Sequence, residues 1–80
     1  MRIKFKSRRE GPVPMEAVVT ISTARGRNEE VIVHRSQIDE RGIEVYYIGE
    51  RDGLLLVELP RQSMSGHQRV WVPKSVVARE

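Results

Sequence analysis

The chain has 80 residues, no cysteine, and 14 lysines and arginines against 11 carboxylates, a net charge of +3. That length makes one domain over residues 1–80 with a thin core, and the missing cysteines exclude a disulfide framework or thiolate metal site. No run of about 18 apolar residues offers a membrane span, and the charged start Met1-Arg2-Ile3-Lys4-Phe5-Lys6 lacks the apolar stretch of a secretory signal, so a cytoplasmic, non-membrane protein is expected.

Arg2-Ile3-Lys4-Phe5-Lys6 alternates cations with apolar residues, which predicts a strand with Ile3 and Phe5 inward. Ser7 to Pro14 carries Gly-Pro and Val-Pro breakers and is expected to be a loop. Met15 to Thr23 is β-branched and alternating, with Ala17, Val19 and Ile21 on one side. Ala24 to Asn28 is a turn around Gly26, and Glu29 to His34 is the return strand with Val31 and Val33 inward. Asp39-Glu40-Arg41-Gly42 is a second polar turn, and Ile43 to Ile48 a further strand.

Asp52-Gly53 is a hairpin signal, because both residue types tolerate positive φ. Leu54 to Leu59 is nearly all apolar and reads as a central strand covered on both faces, ended by Pro60. Arg61 to Gln68 is a polar loop. Arg69 to Pro73 is the last clear strand, with Val70 and Val72 on one face and Arg69 and Trp71 on the other. Lys74-Ser75 is expected to form a single 3₁₀ turn, and Val76-Val77 to fold back onto the core before the charged end Ala78-Arg79-Glu80.

The expected fold is therefore all-β, a small barrel of about six short antiparallel strands closed around the single tryptophan. One internal echo stands out. Val31-Ile32-Val33-His34-Arg35-Ser36-Gln37-Ile38 parallels Val70-Trp71-Val72-Pro73-Lys74-Ser75-Val76-Val77. It has two readings, a duplicated barrel or one local solution used twice.

Trp71-Val72-Pro73-Lys74-Ser75-Val76-Val77 resembles the end of an SH3-like barrel: a Trp-Val-Pro strand, a 3₁₀ turn and a closing hydrophobic strand. The resemblance implies an SH3-like barrel. Proline-rich peptide binding is not implied, since the chain has neither an Ala-Leu-Tyr-Asp-Tyr-like start nor a Trp-Trp pair, and Val76 stands where the family has a tyrosine.

No P-loop, dinucleotide fingerprint or nucleophile elbow occurs, and His34 and His67 are the only histidines. Ser63, Ser65 and His67 lie close in sequence without a visible orienting carboxylate. No catalytic residue, metal or cofactor is expected. The expected function is a non-catalytic binding module. Nucleic acid is the first partner class, through Lys4, Lys6, Arg8 and Arg9 in an N-terminal arm, Arg25 and Arg27 on a hairpin, Arg69 and Lys74 beside the tryptophan, and Tyr46 as a stacking group. The alternative is a protein-interaction module or a homodimer that hides Leu54 and Leu56.

Overall fold

A computed structural model describes residues 1–78; the remainder of the charged end, Arg79-Glu80, lies outside the described residues. Nine short strands are present: β1 (Arg2–Ile3), β2 (Ser7–Glu10), β3 (Glu16–Ser22), β4 (Asn28–His34), β5 (Ile38–Asp39), β6 (Gly42–Glu44), β7 (Tyr46–Arg51), β8 (Leu54–Glu58) and β9 (Arg69–Pro73). The only helical pieces among the described residues are 3₁₀ turns at Ala24–Gly26, Arg35–Gln37 and Lys74–Val76. The protein is all-β, and among the described residues no helix is long and apolar enough to cross a membrane.

The strands form three small antiparallel sheets, β2-β3-β4, β7-β8-β9 and a central β1-β6-β5. Nine strands stand among the described residues where about six were expected: the run Ile43 to Ile48 is split in two, and Ser7–Glu10 and Ile38–Asp39 are strands of their own. The first run pairs through Arg2 and Ile3 with β6, and then changes partner: the Lys4 amide donates to Val76 O and the Lys6 amide to Thr20 O. The Ser7–Glu10 segment, expected as a loop, is β2, a fully exposed edge strand on β3. It has no apolar signal; pairing with a buried neighbour sets its conformation. Ile43 to Ile48 is likewise split between β6 and β7.

The two outer sheets repeat one pairing plan. Val19 pairs with Val31 and Ala17 with Val33, as Val57 pairs with Val70 and Leu55 with Val72. Each sheet then runs through a 3₁₀ turn into the central sheet. Ile38 pairs with Ile43 after the first turn, and Val77 bridges Ile3 after the second. The central pairing, Ile3 with Ile43, joins equivalent positions of the two halves. The echo seen in sequence thus falls on matching structure, strand to turn to central pairing, in both halves.

The core follows the same plan. Ile3, Ala17, Val19, Ile21, Val31, Val33 and Ile38 come from the first half, and Ile43, Val45, Leu55, Val57, Leu59, Val70 and Val72 from the second, with Phe5, Val76 and Val77 packed against them. Trp71 is not part of it. Period-two alternation sends Val70 and Val72 inward, so the indole stands half-buried on the outer face, and the expectation of a core built around it is corrected. The expectation that Leu54 to Leu59 is covered on both faces is corrected in the same way: Leu55, Val57 and Leu59 are buried, while Leu54 and Leu56 are only half-buried.

Gly42 fixes the junction of the halves. Its φ is 137°, and a Cβ there would lie 1.9 Å from the Ile3 carbonyl oxygen. The Arg2 guanidinium closes over the same point, donating to Gln37 O (3.2 Å) and Gly42 O (3.3 Å) and pairing with Asp39 (3.3 Å). The Asp39 carboxyl is held below its ordinary range, first by the Arg41 amide that it accepts and then by the guanidinium groups of Arg41 and Arg2.

Candidate nucleic-acid interface

The candidate site is the outer face of β7-β8-β9. Register places its side chains in three rows. Tyr46, Glu58 and Arg69 form one row, Gly49, Leu56 and Trp71 the next, and Arg51, Leu54 and Pro73 the third. A bulge between Tyr47 and Gly49 leaves Ile48 unpaired and keeps Tyr46 on the outer side, 64% exposed. The face carries an aromatic at each edge strand, an aliphatic middle and an arginine at either end.

A turn from the other half overhangs it. Thr23 closes this turn by donating its amide to Arg27 O (2.8 Å). Arg25 adopts φ 63° and ψ 31°, a left-handed conformation, and Gly26 follows at φ 70°. That conformation suits glycine or asparagine and costs an arginine about 1 kcal/mol. It carries the Arg25 side chain beside Trp71. A hollow of about 240 Å³ lies between Arg25, Arg27, Glu29, His67, Arg69 and Trp71. A second, of about 310 Å³, lies between Arg25, Arg51, Asp52, Leu54 and Trp71.

Four guanidinium groups therefore surround one indole. Arg69 is paired with Glu58 (3.1 Å); Arg25, Arg27 and Arg51 have no carboxylate partner among the described residues. Arg51 sits at the left-handed hairpin turn of Asp52 (φ 51°) and Gly53 (φ 79°), the turn expected from sequence.

The residues singled out from sequence separate into two groups. Arg25, Arg27, Arg69 and Tyr46 gather on or beside this face. Lys4, Lys6, Arg8 and Arg9 lie elsewhere: Lys4 beside Glu40 and Arg41, Lys6 on Asn28 Oδ1 (3.4 Å), Arg9 on Glu30 (2.9 Å), and Arg8 in a hollow with Arg9, Glu10 and Arg35. Lys74 is paired with Glu50 (2.9 Å). Trp71 and Arg51 were not among the expected nucleic-acid contacts, and Leu54 and Leu56 were expected only as an apolar pair that a homodimer would hide. The available signal was the alternation itself, which sets Trp71 opposite Val70 and Val72.

The Ser63, Ser65 and His67 cluster does gain a carboxylate, Glu29, but in the wrong order for a relay. The Ser65 hydroxyl faces both Glu29 Oε1 (2.5 Å) and His67 Nδ1 (2.9 Å), and His67 Nδ1 is 3.8 Å from Glu29 Oε2. A nucleophilic serine needs the histidine between itself and the acid. Here the serine is in the middle, and the group ties the 60–68 segment to β4, helped by Met64 donating its amide to Glu30 O (2.8 Å). The Ser65 hydroxyl holds the Glu29 carboxyl below its ordinary value of 4.5, with smaller help from Ser63 and His67 against the opposing effect of burial. No group of three potential ligands could hold a metal ion among the described residues.

Comparisons with family models, with curated proteins and with solved structures find no match for this chain.

Proposed function

We propose that the protein is a non-catalytic binding module that holds nucleic acid on the outer face of β7-β8-β9. The observation that carries this reading is the ring of Arg25, Arg27, Arg51 and Arg69 around the half-buried Trp71, three of them without a carboxylate partner among the described residues. Unpaired cations supply phosphate contacts, and an indole with apolar neighbours supplies a surface for a base. An anion-binding patch alone would not need Trp71 and Leu54 in its floor.

The chain runs from each outer sheet into the central one, Ile38 pairing with Ile43 after β4 and Val77 bridging Ile3 after β9, which supports reading the whole as a small SH3-like barrel. A cysteine-free chain accords with a cytoplasmic setting.

The test is fluorescence anisotropy with labelled oligonucleotides at low salt. Binding should weaken steeply as salt rises, with a log–log slope of several units. Absence of binding at low ionic strength removes the reading.

A second reading rests on the edge strand of the same sheet. Tyr46, Tyr47 and Ile48 are 64, 53 and 41% exposed in succession along edge strand β7, and such an edge can pair with another chain. Sedimentation at micromolar concentration would show a dimer under that reading, and a strict monomer counts against self-association.

A further inference from the structure

Resting on the nucleic-acid reading above, we infer that the Trp71 face takes single strands rather than duplex, with one base laid on the half-buried indole and the flanking phosphates held by arginines of separate elements. The two hollows share Ala24, Arg25 and Trp71, so they meet over the indole and not at separate points. One runs on toward Arg27 and Arg69, the other toward Arg51 and Leu54. A compact ligand would fill one of them. A linear ligand crossing Trp71 fills both and meets a cation at each end.

The alternation of chemistry along this track fits a single strand. Charge at Arg27 and Arg69, an aromatic at Trp71 and charge again at Arg51 match phosphate, base and phosphate. A duplex keeps its bases stacked inside and offers phosphates to a flat surface, which would leave the apolar floor unused. Gly49 keeps the face low on its far side: a Cβ there would meet nothing within 4 Å, so the space between Leu56 and edge strand β7 stays open toward Tyr46. A neighbouring base can turn that way.

Arg25 adds a separate argument. It lines both hollows from a left-handed backbone position that disfavours a long side chain. A glycine would close the same turn with less strain. The strained position is justified by placing a guanidinium over the point where the two hollows join.

Trp71 is the only tryptophan, so its emission reports this site and no other. The experiment titrates the full chain with a single strand of about 12 nucleotides, as DNA and as RNA, with the corresponding duplex, and with inorganic pyrophosphate. Anisotropy of the labelled strand and Trp71 emission are followed together. The expected result is that single strands quench the emission with the same midpoint as the anisotropy change, and bind about ten-fold or more tighter than duplex. Trp71→Leu should lower single-strand affinity by about ten- to a hundred-fold and Trp71→Phe by much less. If the leucine variant fails to fold, Arg27→Ala and Arg51→Ala, at opposite ends of the track, take its place, and both should weaken the single strand. Binding without any change in Trp71 emission, or duplex binding as tight as single strand, overturns this inference and leaves the broader reading standing. Pyrophosphate quenching as deeply as the oligonucleotide identifies a simple anion site and also overturns it. No binding to any nucleic acid brings down both.

Discussion

The sheets β2-β3-β4 and β7-β8-β9 share a pairing plan and an inner face, yet their outer faces have opposite characters. On the first, Val18 is 6% exposed, and the carboxylates around it are satisfied: Glu16 holds Arg61 (3.0 Å) and Glu30 holds Arg9 (2.9 Å). On the second, the equivalent position is Leu56, half-buried, and the equivalent of Ile32 is Trp71. The connections explain much of the difference. The segment between β8 and β9 is long enough to reach across and fasten on β4 through Met64 and Ser65. Its counterpart between β3 and β4 is a short turn that overhangs β9 but leaves the indole accessible. One backbone plan thus yields a closed face and an open one. Core symmetry does not require functional symmetry.

The comparison can be broken at its root. Gly42→Ala would force a Cβ against the Ile3 carbonyl at a φ of 137°, at the strand that joins the halves. It should destabilise by at least about 3 kcal/mol or prevent folding, read by denaturant unfolding. Both sheets should be lost in one transition. If β2-β3-β4 survives alone, the halves are not mutually dependent.

Ile21→Ala and Leu59→Ala sharpen it. Both residues are fully buried at equivalent places in the two halves. Each should cost about 2–5 kcal/mol, and the two costs should agree to within about 1 kcal/mol if the halves are equally packed. A large inequality would show that the shared pairing conceals different packing.

The outer faces separate by charge removal. Arg27→Ala or Arg51→Ala should weaken oligonucleotide binding and flatten the salt dependence by about 0.7 to 0.9 units each. Arg9→Ala, on the closed face and already paired with Glu30, should change both by much less. Equal effects would place binding outside the Trp71 face.

Arg25→Gly should move stability and affinity in opposite directions. Relief of the left-handed conformation stabilises by about 1 kcal/mol, while loss of the guanidinium weakens binding. Thermal unfolding and anisotropy on the same sample check the pair.

The smallest effect concerns acid. The Glu29 carboxyl lies below its ordinary value of 4.5 in the folded chain, chiefly through Ser65. The stability it adds is therefore present above about pH 4.5 and is lost as the pH falls through the lower folded value. Protection of the amides in residues 60–68, relative to their intrinsic exchange rates, should fall over that acid range, and Glu29→Gln should remove most of that fall. An unchanged profile in the variant would show that Glu29 does not anchor the segment.

Local periodicity was sufficient for much of this architecture. The inward valines at 19, 31, 33, 70 and 72, the Asp52-Gly53 hairpin and the 3₁₀ turn at Lys74–Val76 all follow from alternation and turn chemistry, which act over a few residues. Tertiary structure decided what those rules do not reach. It made Ser7–Glu10 a strand, because β3 offered a pairing edge, and divided the first run between two sheets. It also sorted the arginines. Arg9 and Arg27 are the same residue type, but one meets a carboxylate across a sheet and the other stands beside an indole brought from far along the chain. Which charge is neutralised depends on long-range neighbours, and no local pattern encodes them.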